Sequence, residues 1–550
     1  MATRADRAAP RGGPAAATAL AVAAVALAPL VPSALAAHTA AGLIGLAAES
    51  LVIVLVLLVV EQRWLRGIAA AVFGGLVVAA IVLAALDVAF LATVDRAFNP
   101  AEDVGAIADG LGVVADAVGG PAAAMVAALA VAVCGAGAYG LARAALRVGR
   151  ATRAQGARGR ALVSALTAVW IVAAAAHAEV EPGAPVAASG TGAVLVAASE
   201  RAISSAHELE AFESALTHDP LADVDRAGLL AALQGKDVVI AFVESYGRVA
   251  VEPAGVADPI TKTLDDGAAS LERAGYSARS AFLSSPTFGG VSWLAHSTLQ
   301  TGVWVDSPRK YGRLLAGERA SLSSLFGAAG WRTAAVVPSN TRDWDEGTAF
   351  YGFDTVLDSR SMGYRGPSFG YAAMPDQFTW RVVHDRLLDD SAAPEPEPGP
   401  VMVEVDLVSS HTPWTPSPRM VPWSQLGDGA VFASQPAESD PAGEVWADAD
   451  RVRGAYARSI AYSLEATFSY LETLGGPDLV LVLVGDHQPS RIVSGPDAGP
   501  EVPITIIARD RAVLDRIDAW GWNAGVRPSP SAPVWRMDAF RDRFVAAFSD

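Results

Sequence analysis

Three short apolar runs in the second half of the chain each stop at a residue able to hold a cation or move a proton. Val238–Val243 runs into Glu244, and Val401–Val405 into Asp406, with His411 five residues further on. Leu479–Val484 runs into Gly485-Asp486-His487. Runs this short and this apolar read as buried parallel strands. In open α/β sheets the chemistry collects at the carboxyl ends of the strands. Polar residues begin wherever a strand meets a loop, so no one of these positions carries weight alone. Together they describe one rim of hard oxygen and imidazole donors, the set that holds a catalytic divalent ion.

Such an ion needs a group to activate, and the segment Ser285-Pro-Thr287-Phe-Gly289-Gly290-Val-Ser292-Trp-Leu-Ala-His296-Ser-Thr-Leu-Gln-Thr301-Gly302 supplies one. A glycine-containing loop leads into an apolar helix with Ser292 expected at its N-cap and Gly302 at its end. A hydroxyl there faces the positive end of the helix, beside glycines that let backbone N–H groups approach an anion. A serine alkoxide at that point could attack phosphorus. The plainer alternative is that Ser292 only caps the helix.

These residues need a scaffold, and the surrounding pattern provides it. Thr333–Val337 reads as a further strand, and 318–329 and 450–474 as helices between strands, with Pro-rich loops at 393–400 and 412–442. Strands alternating with helices predict a mainly parallel sheet covered on both faces over residues 236–550. Residues 179–200 read as a linker and 200–234 as one or two amphipathic helices, so that 179–235 joins this domain to the part before it.

That first part is of another kind. The chain has 550 residues, 52% of them hydrophobic and 18% charged, with a net charge of −17; an ordinary soluble domain has about 25% charged residues. Residues 1–178 hold 12 Arg and 9 acidic groups, leaving 29 basic and 49 acidic groups, a balance of −20, to the rest. That composition excludes a disordered chain, a disulfide-stapled module and a basic nucleic-acid binder. Five stretches, 15–37, 42–60, 69–94, 121–142 and 161–178, suit membrane crossing, which takes about 20 residues of helix. The first also has Ala34-Leu35-Ala36, which resembles a signal-peptide cleavage site. Arg4, Arg7 and Arg11 precede the first stretch, Arg63 and Arg66 come after the second, and six Arg lie between the fourth and fifth. Asp95, Glu102, Asp103, Asp109 and Asp116 come after the third, and 103–119 suits a short helix on the outer surface. The positive-inside rule then predicts a cytoplasmic N-terminus and an extracytoplasmic second half, in agreement with the parity of five spans. Glu49 and Asp87, the acids well inside a span, are expected to serve packing rather than transport. The single cysteine, Cys134, is in the fourth span.

The second half resembles the alkaline phosphatase–sulfatase superfamily, and the five-span arrangement before it is similar to the lipoteichoic acid synthase group. The matching motifs are Val-Ile-Ala-Phe-Val-Glu244-Ser, the hydroxyl at the start of a helix, Ala457-Arg-Ser-Ile-Ala-Tyr462 to Leu471, and Leu-Val-Gly485-Asp486-His487. The resemblance implies that Glu244, Ser292, Asp486 and His487 hold one divalent ion, manganese by expectation, with magnesium or zinc as alternatives. It implies a nucleophile aligned with Thr in Thr-Phe-Pro-Asn-His-Tyr-Thr-Leu-x-Thr-Gly of the related phosphodiesterases. That alignment selects Ser292, with Thr287 as the alternative, although both groups usually have Thr there and Ala295 stands where the phosphodiesterases have Asn. His411 and Asp406 are then expected on the substrate side, together with Arg342 and Trp344 of Asn340-Thr-Arg-Asp-Trp.

Departures from the superfamily narrow the chemistry. A formylglycine sulfatase needs Cys or Ser two residues before Pro and Arg two after it, but Ser284-Ser285-Pro286-Thr287-Phe288 has Phe at the Arg position. A second metal of the alkaline phosphatase kind would draw on Asp406, His411 and a later histidine, and none comes after His487. One metal is therefore expected. The implied activity is transfer of a phosphoglycerol-type or other phospho-alcohol head group from a phospholipid to an envelope polymer or glycan through a phosphoserine. The alternative is a phosphodiesterase, phosphatase or sulfatase-type hydrolase using water. The implied partners are the membrane, the lipid head group and the acceptor, with no nucleic acid.

Overall fold

The computed structural model of the chain describes residues 14–105, 107, 119–222, 226–252, 258–389 and 399–550. Arg4, Arg7, Arg11, Asp109, Asp116, most of the 103–119 segment and the loop residues 393–398 lie outside these. Two compact units are present, Met1–Leu91 with Arg96–His207, and Glu208–Asp550 with Ala92–Asp95.

In the first unit the apolar stretches are helices, Ala15–Ala37, Ala48–Val59, Arg63–Val94, Gly120–Ala154 and Ala157–Ala175. Four are long and apolar enough to cross a membrane. Ala48–Val59 has 12 residues, about 18 Å at the helical rise against roughly 30 Å of hydrocarbon. The chain is not helical just before it, because Leu46 and Ala47 pair with Ala187 and Ala188. The parity argument for five crossings thus has four full-length helices behind it. The expected linker is also structured: a hairpin of Glu179–Glu181 with Ala184–Pro185 precedes a helix over Gly190–Thr217. The apolar, Pro-free run after Gly190 favours helix over coil, and the division between units falls inside this helix rather than at 178 and 235. Both acids inside the spans have partners in this unit. Arg201 Nη2 is 3.0 Å from Asp87, and Gly192 N donates to Glu49 at 2.8 Å. Paired acids of this kind suit packing.

The second unit is built on a nine-stranded sheet. Its strands are β1 (Asp237–Val243), β2 (Ser277–Ser284), β3 (Arg332–Val337), β4 (Thr355–Asp358), β5 (Val401–Leu407), β6 (Leu479–Gly485), β7 (Glu501–Ala508), β8 (Asn523–Ala524) and β9 (Val534–Arg536). The order is β8-β2-β7-β6-β1-β5-β3-β4, with β9 also pairing β2. From β6 to β4 every pairing is parallel, while β7 runs antiparallel to both its neighbours. The parallel block is the expected one. The antiparallel extension was not legible: β2 begins Ser-Ala-Arg-Ser, and β7 carries Pro503, which argues against an interior strand. Pro503 is tolerated beyond the last pair of β7 with β6, Ile504 opposite Val484.

Alternation along β1 sends its residues into two cores. Val239, Ala241 and Val243 join one with helices α1 (Asp258–Arg273) and α4 (Ala449–Thr473). Val238, Ile240 and Phe242 join the other with α2 (Ser292–Thr301), α3 (Leu322–Ala328) and α5 (Phe540–Phe548). Covered on both faces, the sheet leaves its strand ends for chemistry. There the register matters: Val243 lies opposite Gly485 on one side and Leu407 on the other. Glu244, Asp406 and Asp486 thereby meet at one edge although about 160 and 240 residues of chain separate Glu244 from the other two.

Candidate active site

Asp486 comes just after the end of β6 and is 1% exposed. Its Oδ1 accepts hydrogen bonds from Ser245 N at 2.8 Å and His487 N at 2.6 Å. Its Oδ2 is buried with no hydrogen-bond partner. Glu244 is held by its backbone, with N donating to Leu407 O at 3.1 Å and O accepting from Ser410 Oγ at 2.6 Å. His487 turns Nδ1 toward Gln488 O at 2.8 Å, which leaves Nε2 facing Glu244 Oε1 at 3.2 Å and Asp486 Oδ2 at 3.7 Å. That arrangement sets the tautomer a metal-binding imidazole needs.

Ser292 completes the group. The N-cap position of α2 belongs to Val291 and not to Ser292, and it makes no side-chain cap. The Ser292 hydroxyl is free for another partner and donates to Glu244 Oε2 at 2.8 Å, with His487 Nε2 at 3.3 Å. Val291 is held at φ 65°, a left-handed conformation costly for a β-branched residue and of the kind that gathers at functional sites. Gly302 ends α2 in the left-handed region, as expected.

Charge is set by this crowding. Burial alone would push both carboxyls up. The hydrogen bond and charge of His487, with the charge of His411, outweigh it at Glu244 and hold that group well below the usual carboxylate range. Asp486 goes the other way, pushed up by burial and by the charge of Glu244. Burial favours neutral His487, but Asp486 and Glu244 outweigh it and raise the imidazole to about 9. One carboxylate, one carboxyl close to protonation and an imidazolium therefore share a buried space that a divalent ion would fill in place of protons. Ligand atoms of Glu244, Asp486 and His487 lie within 4.8 Å of one another. With the unpartnered Asp486 Oδ2 and an O, O, N donor set, these residues fit such an ion.

These groups open on a cavity of about 410 Å³ lined by Ser292, Glu244 and Asp486 and also by Asp406, His411 and Trp344. The His411 ring stacks on Tyr371 at 3.7 Å. Of the other residues expected on the substrate side, Arg342 is exposed and is not among the lining residues, whereas Asn340 and Trp344 on either side of it are. The loop after β3 turns inward at those two and presents Arg342 to solvent. Thr287 is buried, its Oγ1 has no hydrogen-bond partner, and it does not line the cavity.

Two lining residues able to hold a cation were missed. His296 lies one helical turn after Ser292, and Glu404 precedes Asp406 by two residues on β5. The signals were present, since positions i and i+4 share a helix face and i and i+2 share a strand face. Burial of Glu404 inside an apolar strand was the obstacle to reading it.

No family model matches the chain, and no curated protein matches it. Among solved structures it is similar to the lipoteichoic acid synthase LtaP from Listeria monocytogenes, at 16% identity over 50% of this chain and 66% of that one, TM-score 0.34. The match thus spans just under two thirds of that protein. It is similar to Streptococcus pyogenes phosphoglycerol transferase GacH in complex with sn-glycerol-1-phosphate, at 13% identity over 63% of this chain and 91% of that one, TM-score 0.35. It is similar to the soluble domain of lipooligosaccharide phosphoethanolamine transferase A from Neisseria meningitidis, at 11% identity over 57% and 87%, TM-score 0.36. Likenesses this distant identify no activity, and the chemistry assigned to the chain rests on the site itself.

Proposed function

We propose that the chain is a membrane-anchored, metal-dependent phosphotransferase of the alkaline phosphatase–sulfatase kind, with its second unit on the extracytoplasmic side of the cytoplasmic membrane. It would move a phosphoglycerol-type or other phospho-alcohol head group from a phospholipid to an envelope polymer or glycan. The observation that carries this reading is the Ser292 hydroxyl, 2.8 Å from Glu244 and 3.3 Å from His487 at the start of α2. Glu244, Ser292, Asp486 and His487 would hold the ion, manganese by expectation. When bound it would supply acidification of the hydroxyl and positive charge beside the phosphoryl oxygens.

Ser292 Oγ, oriented by its hydrogen bond to Glu244 Oε2, attacks phosphorus and releases its proton to water in the cavity. The P–O bond to diacylglycerol breaks, and the leaving alkoxide takes a proton back from that water. Ser292 then carries the phospho-alcohol until an acceptor hydroxyl attacks the same phosphorus, loses its proton and returns the serine. His411, on the cavity wall, is assigned to face the phosphate or its alcohol, and Trp344 to pack against the bound head group. The N-terminal N–H groups of α2 are directed at the developing negative charge.

Water as the acceptor is the second reading, and one observation favours it. None of the described lining residues is Lys or Arg, which leaves no basic track for a long anionic acceptor. The test uses the full-length chain in detergent with Mn2+ and fluorescent phosphatidylglycerol, comparing wild type, Ser292→Ala and Thr287→Ala. Metal-dependent release of diacylglycerol abolished only by Ser292→Ala is the expected result. Loss only in Thr287→Ala would move the nucleophile. No release from the lipid, while a small chromogenic phosphodiester is cleaved, would overturn the phosphatidylglycerol assignment and leave the hydrolase.

A further inference from the structure

The same cavity contains a second group of side chains able to hold an ion, to which the phosphotransferase steps give no part although Asp406 was expected on the substrate side. His296 projects from α2 one turn after Ser292, and Glu404 and Asp406 alternate on β5 so that both meet it. One ligand atom from each lies within 4.8 Å of the others. His296 Nδ1 is 3.4 Å from Glu404 Oε1 and 3.5 Å from Asp406 Oδ1. Those separations exceed good hydrogen bonds and suit atoms that share a central ion.

Each side chain is also held in place for that purpose. The His296 ring stacks on Phe242 at 3.7 Å. Gln300 Nε2 occupies Glu404 Oε2 and leaves Oε1 to the centre. Asp406 Oδ1 is buried with no hydrogen-bond partner.

Charge balance is compatible with a cation there. Glu244, Glu404, Asp406 and Asp486 all line the cavity, with no Lys or Arg among its described lining residues. One divalent ion offsets two of these four carboxylates, and a phosphodiester adds a further negative charge. Buried charge is too costly to leave unbalanced, so protons on the carboxyls and on imidazoles such as His296, or a second ion in their place, must offset the remainder.

We propose that His296, Glu404 and Asp406 hold a second divalent cation beside the Ser292 site. The donor set, one imidazole nitrogen and two carboxylate oxygens, suits Zn2+ or Mn2+. It differs from the set the alkaline phosphatase resemblance implies. His411 belongs to that other set, but its Nδ1 is turned to Thr412 O at 2.6 Å and its ring is stacked on Tyr371. The site stands or falls independently of the phosphotransferase reading.

The test is metal stoichiometry. The full-length chain in detergent is stripped with a chelator, reloaded by equilibrium dialysis against Mn2+ alone, and its ions per chain are counted by elemental mass spectrometry. Wild type is expected to bind two. His296→Ala and Glu404→Gln are each expected to keep one, as is Asp486→Asn at the other site, and His296→Ala with Asp486→Asn none. Thermal unfolding of each variant checks its fold, and the near-isosteric Asp406→Asn stands in for any that fails. One ion in wild type, or two retained in both His296→Ala and Glu404→Gln, would overturn the proposal. Two ions bound without phosphodiester cleavage would sink the proposed function and leave this site intact.

Discussion

Replacing Asp486 by Asn separates a metal ligand from a structural carboxylate. Asn keeps the side chain's shape and the oxygen that accepts from Ser245 N and His487 N. It removes the charge at the Oδ2 position, which is buried and unpartnered. In the metal-free protein this is a relief, since burial and the charge of Glu244 both oppose ionisation of Asp486. The metal-free variant is therefore expected to melt no lower than wild type near pH 7.5. With metal the order reverses. An ion at one hundred times its dissociation constant stabilises the folded state by about 2.7 kcal/mol. For a unit of this size that is a rise in Tm of about 4 °C. Wild type should show that rise at this site with Mn2+, and Asp486→Asn should lose it while keeping only the share of an ion at the His296 group. Intrinsic tryptophan fluorescence during heating is a suitable readout, because 11 of the 13 tryptophans belong to the second unit. A metal-free variant that melts several degrees below wild type yet keeps the full Mn2+ response would refute the ligand assignment.

Other consequences are as direct. A Cβ at Gly485 would lie 1.9 Å from Tyr246 O, so Gly485→Ala must push the backbone that carries Asp486. It is expected to cost about 1–3 kcal/mol, read as a lower denaturation midpoint, and to weaken Mn2+ binding. Asp376, fully buried under the Ser409–His411 turn, is pushed up to about 6 by burial against its hydrogen bonds from Ser463 and Ser409. A carboxyl whose folded pKa is raised loses its contribution as pH climbs from the unfolded value near 4 to about 6. Wild type should thus lose up to about 3 kcal/mol over that window relative to Asp376→Asn, measured by urea unfolding at several pH values. Arg541, with no exposed surface, pairs with Asp219 at 2.6 Å, and Arg541→Ala should cost about 3–5 kcal/mol. Lys262→Ala breaks only an exposed pair with Asp266 and should cost under about 1 kcal/mol in the same unfolding assay. Arg342→Ala should leave phosphodiester cleavage within about twofold of wild type, since the side chain faces solvent.

Strand ends were the legible part of the site. Glu244, Asp406 and the Asp486-His487 pair stood out because each closes an apolar run, and the α/β pattern said such ends belong together. Ser292 stood out for the glycines before it and the helix after it. Its partner did not, since an N-cap serine and a serine facing a carboxylate look identical in one dimension. Arg342 and Trp344 were equal candidates until the loop after β3 turned one outward and the other in.

Composition and periodicity by themselves marked an apolar helical first part, an acidic α/β second part and the polar residues that close its strands. Those properties are local, set by the length of each apolar run and by the residues that close it. Only the tertiary structure decided which donors meet. The register of β1 against β5 and β6 brings together carboxylates far apart in the chain. The placement of α2 against β5 sets His296 beside Glu404 and Asp406, where it joins a second cluster that local sequence had hidden as core. The same limit applied to the helix over Gly190–Thr217 and the shortened Ala48–Val59, both of which begin just after the pairing of Leu46–Ala47 with Ala187–Ala188.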